Sequence, residues 1–92
     1  MANDVQVFKA EEFFRSEIKE ARRKGFELQI GVGRKGVRAR LLPLKPSTRE
    51  ACHAVGAGSF ESRCEVPVGA DGLDVLRDTI RACFDHAETV LG

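Results

Sequence analysis

The sequence predicts an α+β two-layer sandwich: an antiparallel sheet of three to four strands with an N-terminal and a C-terminal helix on one face, in the order α-β-β-(β)-β-α. Three observations lead there. Two stretches, one toward each end of the chain, repeat apolar residues at the three- and four-residue steps of a helix. The middle alternates apolar and polar residues with a period of two, as strands do. Strands with one greasy face and helices with one greasy stripe bury both most economically by stacking in two layers.

The first helix is expected from about Lys9 to Lys24, where Ala10, Phe13, Phe14, Ile18 and Ala21 form one stripe. Glu11 with Arg15 and Glu20 with Lys24 stand four apart in the favourable acid-first order. Arg22, Arg23 and Lys24 crowd the end where the helix dipole favours cations, and Gly25 is a natural terminator. Val5 to Phe8 read either as a short edge strand or as extra helical turns, and residues 1–8 as flexible if neither forms.

From Phe26 the period changes. Phe26, Leu28, Ile30 and Val32 alternate with Glu27, Gln29 and Gly31, and Val37, Ala39 and Leu41 alternate with Arg38 and Arg40. Pairing Val32 with Val37 across Gly33-Arg34-Lys35-Gly36 sets Ile30 opposite Ala39 and Leu28 opposite Leu41 on one face. On the other face Gln29 meets Arg40 and Glu27 meets Leu42, giving a hairpin that is apolar beneath and basic above. Gly33 and Gly36 are expected to supply positive φ at the turn shoulders.

Pro43 and Pro46 interrupt pairing, and Lys45-Pro46-Ser47-Thr48 reads as loop. Ala51 to Val55 read as either a short strand or a single helical turn, closed by Gly56-Ala57-Gly58. Phe60, Ser62, Cys64, Val66 and Val68 alternate with Glu61, Arg63, Glu65 and Pro67, a half-buried strand that Pro67 assigns to an edge or a strand end. The last helix starts after Gly69-Ala70 with Asp71 as N-cap and carries Leu73, Leu76, Ile80, Cys83, Phe84, Ala87 and Leu91 on one stripe.

Ninety-two residues make one domain, 1–92, with one modest core. Composition, with 42% apolar and 32% charged residues, is that of an ordinary globular protein. No apolar run approaches the roughly 20 residues of a spanning helix, so no membrane partner is expected. The start, Met1-Ala2-Asn3-Asp4, lacks a basic flank and a hydrophobic signal core, and three cysteines without framework spacing fit reduced thiols. A cytoplasmic location is the expectation.

Charge is the informative feature. Nine of the fifteen Lys and Arg residues lie between Ala21 and Arg49, opposed only by Glu27, so a chain of net charge +1 contains a middle third of +8. The residues before it carry −2 and those after it −5. Arg22, Arg23, Lys24, Arg34, Lys35, Arg38, Arg40, Lys45 and Arg49 are therefore the candidate partner-binding residues, for an acidic protein, a nucleoprotein complex or nucleic acid directly. The chain has no Trp or Tyr, and most of its six Phe fall on core positions, so the stacking platforms of single-strand binders are missing. The layout resembles that of double-stranded-RNA-binding domains, which begin their second helix with basic residues; here that position holds Asp71, Asp74 and Asp78.

Other chemistries lack a complete motif. The glycines at 31, 33 and 36 precede a strand rather than a helix and lack the spacing of a phosphate-cradling loop. Cys52, His53, Cys64, Cys83 and His86 are zinc-ligand types, but Cys52 and His53 are adjacent and point apart, Cys64 and Cys83 fall on apolar stripes, and no Cys-x-x-Cys pair exists. A thiol enzyme would draw on Cys52 and His86 with Asp85 or Glu50, and a small sandwich offers little concavity for it. No catalytic residue, metal or cofactor is assigned. The expected function is a non-catalytic interaction module, with a small core that gains from forming a homodimer; in style it is similar to phage or mobile-element inhibitors such as anti-CRISPR proteins, which act by covering a site.

Overall fold

A computed structural model describes residues 12–33, 36–66, 69 and 71–92. The elements follow the order α1 (Arg15–Arg23), β1 (Phe26–Val32), β2 (Gly36–Pro43), α2 (Pro46–Ala54), β3 (Phe60–Glu65) and α3 (Gly72–Leu91). The three strands form one antiparallel sheet in the order β1-β2-β3. Its inner face packs against α1 and α3 in an α+β sandwich, as the alternation demanded.

The hairpin register matches the sequence reading residue for residue: Val32 pairs with Val37, Ile30 with Ala39, Leu28 with Leu41, Gln29 with Arg40 and Glu27 with Leu42. A slip by one would have turned one strand's buried set, either Phe26, Leu28 and Ile30 or Val37, Ala39 and Leu41, out to solvent. Arg34 and Lys35 lie outside the described residues. Neither flanking glycine takes positive φ, which corrects the turn-shoulder expectation. Gly36 is needed for another reason: a Cβ there would run into the Cys64 carbonyl oxygen of β3, so β2 and β3 approach closely only because the side chain is missing.

One core holds both layers. Phe14 and Ala21 from the α1 side, Phe26, Leu28, Ile30, Val37, Ala39, Leu41 and Phe60 from the sheet, and Leu76, Ile80, Cys83, Phe84 and Ala87 from α3 form a single buried cluster. Phe60 sits at its junction, meeting the Phe26 ring edge-on at 6.1 Å and the His86 ring at 5.5 Å. Cys83 Sγ donates to the Phe60 carbonyl oxygen at 3.3 Å, fastening α3 to β3. Asp71 caps α3 as expected, its Oδ1 accepting from the Leu73 N–H at 2.9 Å. The stripe also contains Thr79, whose buried hydroxyl donates to the Val75 carbonyl at 2.8 Å and so meets its own hydrogen-bonding demand.

Three further expectations are corrected. Phe13 is 61% exposed rather than on the core stripe: the backbone departs from helical values at Phe14 (φ −112°, ψ 30°), which buries Phe14 and turns its neighbour outward. Residues 46–54, read as loop followed by a strand or one turn, are helix α2. Pro46 occupies the first helical position, where its missing N–H costs nothing, and the Thr48 hydroxyl accepts from the Lys45 N–H at 3.1 Å. The optional fourth strand is thus a helix, and α2 departs from the RNA-binding layout by standing between β2 and β3. Finally, Cys64 is exposed. It lies on the inward-facing register opposite Val37, but β3 is the outermost strand and its burial falls away from Phe60 toward Glu65. Residues 1–8, Lys9, Ala10 and Glu11 of the expected first helix, and Pro67, Val68 and Ala70 lie outside the described residues.

Candidate docking surface

The end of the sheet where β1 begins and β2 finishes is organised around Gly25. Its φ of +90° ends α1 and starts β1. Its carbonyl oxygen accepts from the Leu44 N–H at 2.8 Å and from the Thr48 hydroxyl at 2.8 Å, drawing the start of α2 against the end of α1. Lys45 lies close enough for its Cδ to stand 3.4 Å from where a Cβ on Gly25 would be. Arg49 follows one turn along, its N–H bonded to the Lys45 carbonyl. Two clusters distant in sequence, Arg22 to Lys24 and Lys45 to Arg49, therefore share one end of the molecule.

Their charges are not equivalent. The Lys24 ammonium lies 2.8 Å from Glu88 Oε1 and 3.4 Å from Glu20 Oε2, and Arg81 reaches the same Glu20 oxygen at 3.4 Å. Lys24 and Arg81 also lie over the Phe84 ring, and Arg77 over Phe14, at 5.2 to 5.6 Å from the ring centres. Phe14, Glu20 and Lys24 thus meet Arg77, Arg81 and Glu88 in ascending order, so α1 and α3 run parallel and are joined by this network. The Glu88 hydrogen bond, opposed by desolvation and helped by Glu20, raises the Lys24 pKa above its ordinary value. For Glu20, desolvation alone would raise the carboxyl, but Arg81 and Lys24 together outweigh it and hold it low. Arg22, Arg23, Lys45 and Arg49, all exposed, have no carboxylate within 4.0 Å among the described residues.

Arg38 and Arg40 stand where expected, on the sheet face that no described helix covers. Arg38 Nε lies 3.5 Å from Glu61 Oε1, and Arg63 shares that oxygen at 3.1 Å. Arg40, half-buried between Gln29 and Glu61 in the pairing, encloses an Nε with no hydrogen-bond partner among the described residues. Gly31, opposite Arg38, leaves space that the Arg38 guanidinium fills, about 3.6 Å from a Cβ placed there. A shallow polar groove of about 350 Å³ runs between Glu27, Gln29, Arg38 and Arg40, and a second of about 580 Å³ lies by Gly33, Gly36, Arg63 and Glu65.

The structure thus gathers Arg22, Arg23, Lys24, Lys45 and Arg49 at one end and sets Arg38 and Arg40 on the open face. It does not bring the five zinc-ligand types together: among the described residues no three His, Cys, Asp or Glu side chains form a metal-holding group. Cys52 and Cys83 are buried; desolvation raises the Cys52 thiol and pushes Cys83 up to about 11, away from the thiolate form a nucleophile needs. No described helix is long and apolar enough to cross a membrane. The fold and surface define a small α+β sandwich with a polarised basic end. The chain matches no protein-family model, no curated protein and no solved structure.

Proposed function

We propose that this chain is a non-catalytic interaction module whose basic end, formed by Arg22, Arg23, Lys45 and Arg49, docks on an acidic protein surface. One observation carries the reading: Lys24, Arg38, Arg63, Arg77 and Arg81 spend their charge on internal carboxylates, whereas these four exposed cations, on the adjoining ends of α1 and α2, have none within 4.0 Å among the described residues. Convergence from two helices raises the local potential over a screening length of roughly 8 Å, enough to steer an anionic partner despite the near-neutral total. Protein is favoured over nucleic acid on chemical grounds. The open sheet face carries Glu27, Glu61 and Glu65 among its cations and no aromatic side chain for base stacking, and α3 opens with Asp71 and Asp74.

The test uses fluorescence anisotropy with a labelled poly-glutamate peptide and with labelled single-stranded and duplex nucleic acid of equal charge. The wild type binds the peptide at low salt and loses it as salt rises. R22E/R23E/K45E/R49E reduces that affinity at least about tenfold, while the control R77E leaves it unchanged. Peptide binding that survives the fourfold reversal defeats the reading. Preferential duplex binding with a steep salt slope replaces it by a nucleic-acid function.

A further inference from the structure

A three-stranded sheet has two outer edges, here those of β1 and β3, and among the described residues neither is hydrogen-bonded to a further strand. Such an edge offers a row of backbone donors and acceptors to any chain lying alongside, and its side chains decide which chain fits. On the open face β3 carries Glu61, Arg63 and Glu65, a minus-plus-minus series at steps of two. β1 carries Glu27, Gln29 and Gly31 on the same face and has no opposite charges to match.

When two copies of one strand pair antiparallel, residues directly opposite share a face, so the possible registers are few. Centring on Arg63 sets Arg63 against itself and Glu61 against Glu65, which is repulsive. Centring on Cys64 matches Arg63 with Glu65 but runs off the strand, since Phe60 and Glu61 find no counterpart within Phe60–Glu65. Centring on Ser62 matches Glu61 with Arg63 twice, sets Phe60 opposite Cys64, and leaves Glu65 alone without a counterpart inside β3. It also covers the exposed Cys64.

We propose that two copies of this chain associate edge to edge through β3, antiparallel, with Ser62 on the two-fold axis, joining their sheets into one of six strands. Each Glu61 then continues its Arg38 and Arg63 contacts to the partner's Arg63, so the acid-base ladder on the open face runs unbroken across the junction. This surface is separate from the basic end and stands independently of its role.

Size-exclusion chromatography with light scattering on the full chain gives the test, with circular dichroism confirming that each variant is folded. The wild type elutes with the mass of two chains. R63E raises the dimer dissociation constant at least about tenfold, and E61R/R63E, which restores the match with signs exchanged, recovers dimer. In S62C/C64S, diamide takes two protons and two electrons from the facing thiols and leaves a covalent dimer, whereas wild-type Cys64 gives none because it faces Phe60. A monomeric wild type, a dimer indifferent to R63E, or crosslinking through Cys64 overturns the proposal.

Discussion

Gly25 shows how much one residue can organise. It ends α1 through positive φ, starts β1, and through one carbonyl oxygen receives both Leu44 and Thr48. A side chain there is excluded twice: by φ of +90°, and because a Cβ would stand 2.6 Å from Thr48 Cγ2. G25A is therefore expected to lower unfolding stability by about 2 kcal/mol, combining left-handed strain with the contact. T48S removes Cγ2 but keeps the hydroxyl, so in its background G25A costs less, though not zero because the backbone strain stays. Urea denaturation of the four proteins measures this coupling; equal costs of G25A in both backgrounds would show that the contact is irrelevant.

At the level of elements, periodicity was legible wherever one face is buried against something large. The hairpin register followed from alternation because a one-residue slip turns three buried residues of one strand outward, and the α3 stripe because it packs along two strands. Helix α2 was illegible for the same physical reason: only Cys52 of its nine residues is buried, so no stripe marks it, and its start rests on Pro46 and a Thr48 hydroxyl that loops use equally well. Composition pointed to the cationic residues, but which of them pair internally depends on the parallel packing of α1 on α3, information that the spacing of Glu88 from Lys24 does not contain. The stripe reading yields a contrast that thermal melting can check. L76A, at a site 1% exposed, costs about 2 to 5 kcal/mol, whereas F13A, at a position 61% exposed, changes stability by no more than about 0.5 kcal/mol despite the larger side chain. A large loss at Phe13 would return it to the core and contradict the backbone break at Phe14.

On the scale of the whole molecule, folding links to pH through two devices that respond differently to salt. Glu20 has its folded pKa depressed below 4.5, so its contribution is present above that value and fades as pH falls through the folded pKa. Lys24 has its folded pKa raised above 10.5, so its share persists below that pH and fades as pH rises through the folded value. Cys83 adds a third dependence, chiefly by burial, with the Leu41 backbone opposing and the Glu61 charge adding to it: the unfolded thiol loses its proton near 9 and the folded one near 11, so the unfolded chain binds fewer protons between them and stability declines across that window. Two pH units correspond to about 2 to 3 kcal/mol. Stability measured against pH is thus level through neutrality and falls on both sides. The acid-side difference between wild type and E20Q shrinks in 1 M salt, because these ion pairs are partly exposed and screened. The alkaline decline from 9 to 10.5, below the range where Lys24 contributes, keeps most of its size in salt, because desolvation of a buried thiol is not screened, and it disappears in C83A even though that variant is less stable at every pH. An alkaline slope retained by C83A would assign the decline to Lys24 and its carboxylates, and salt would then abolish it.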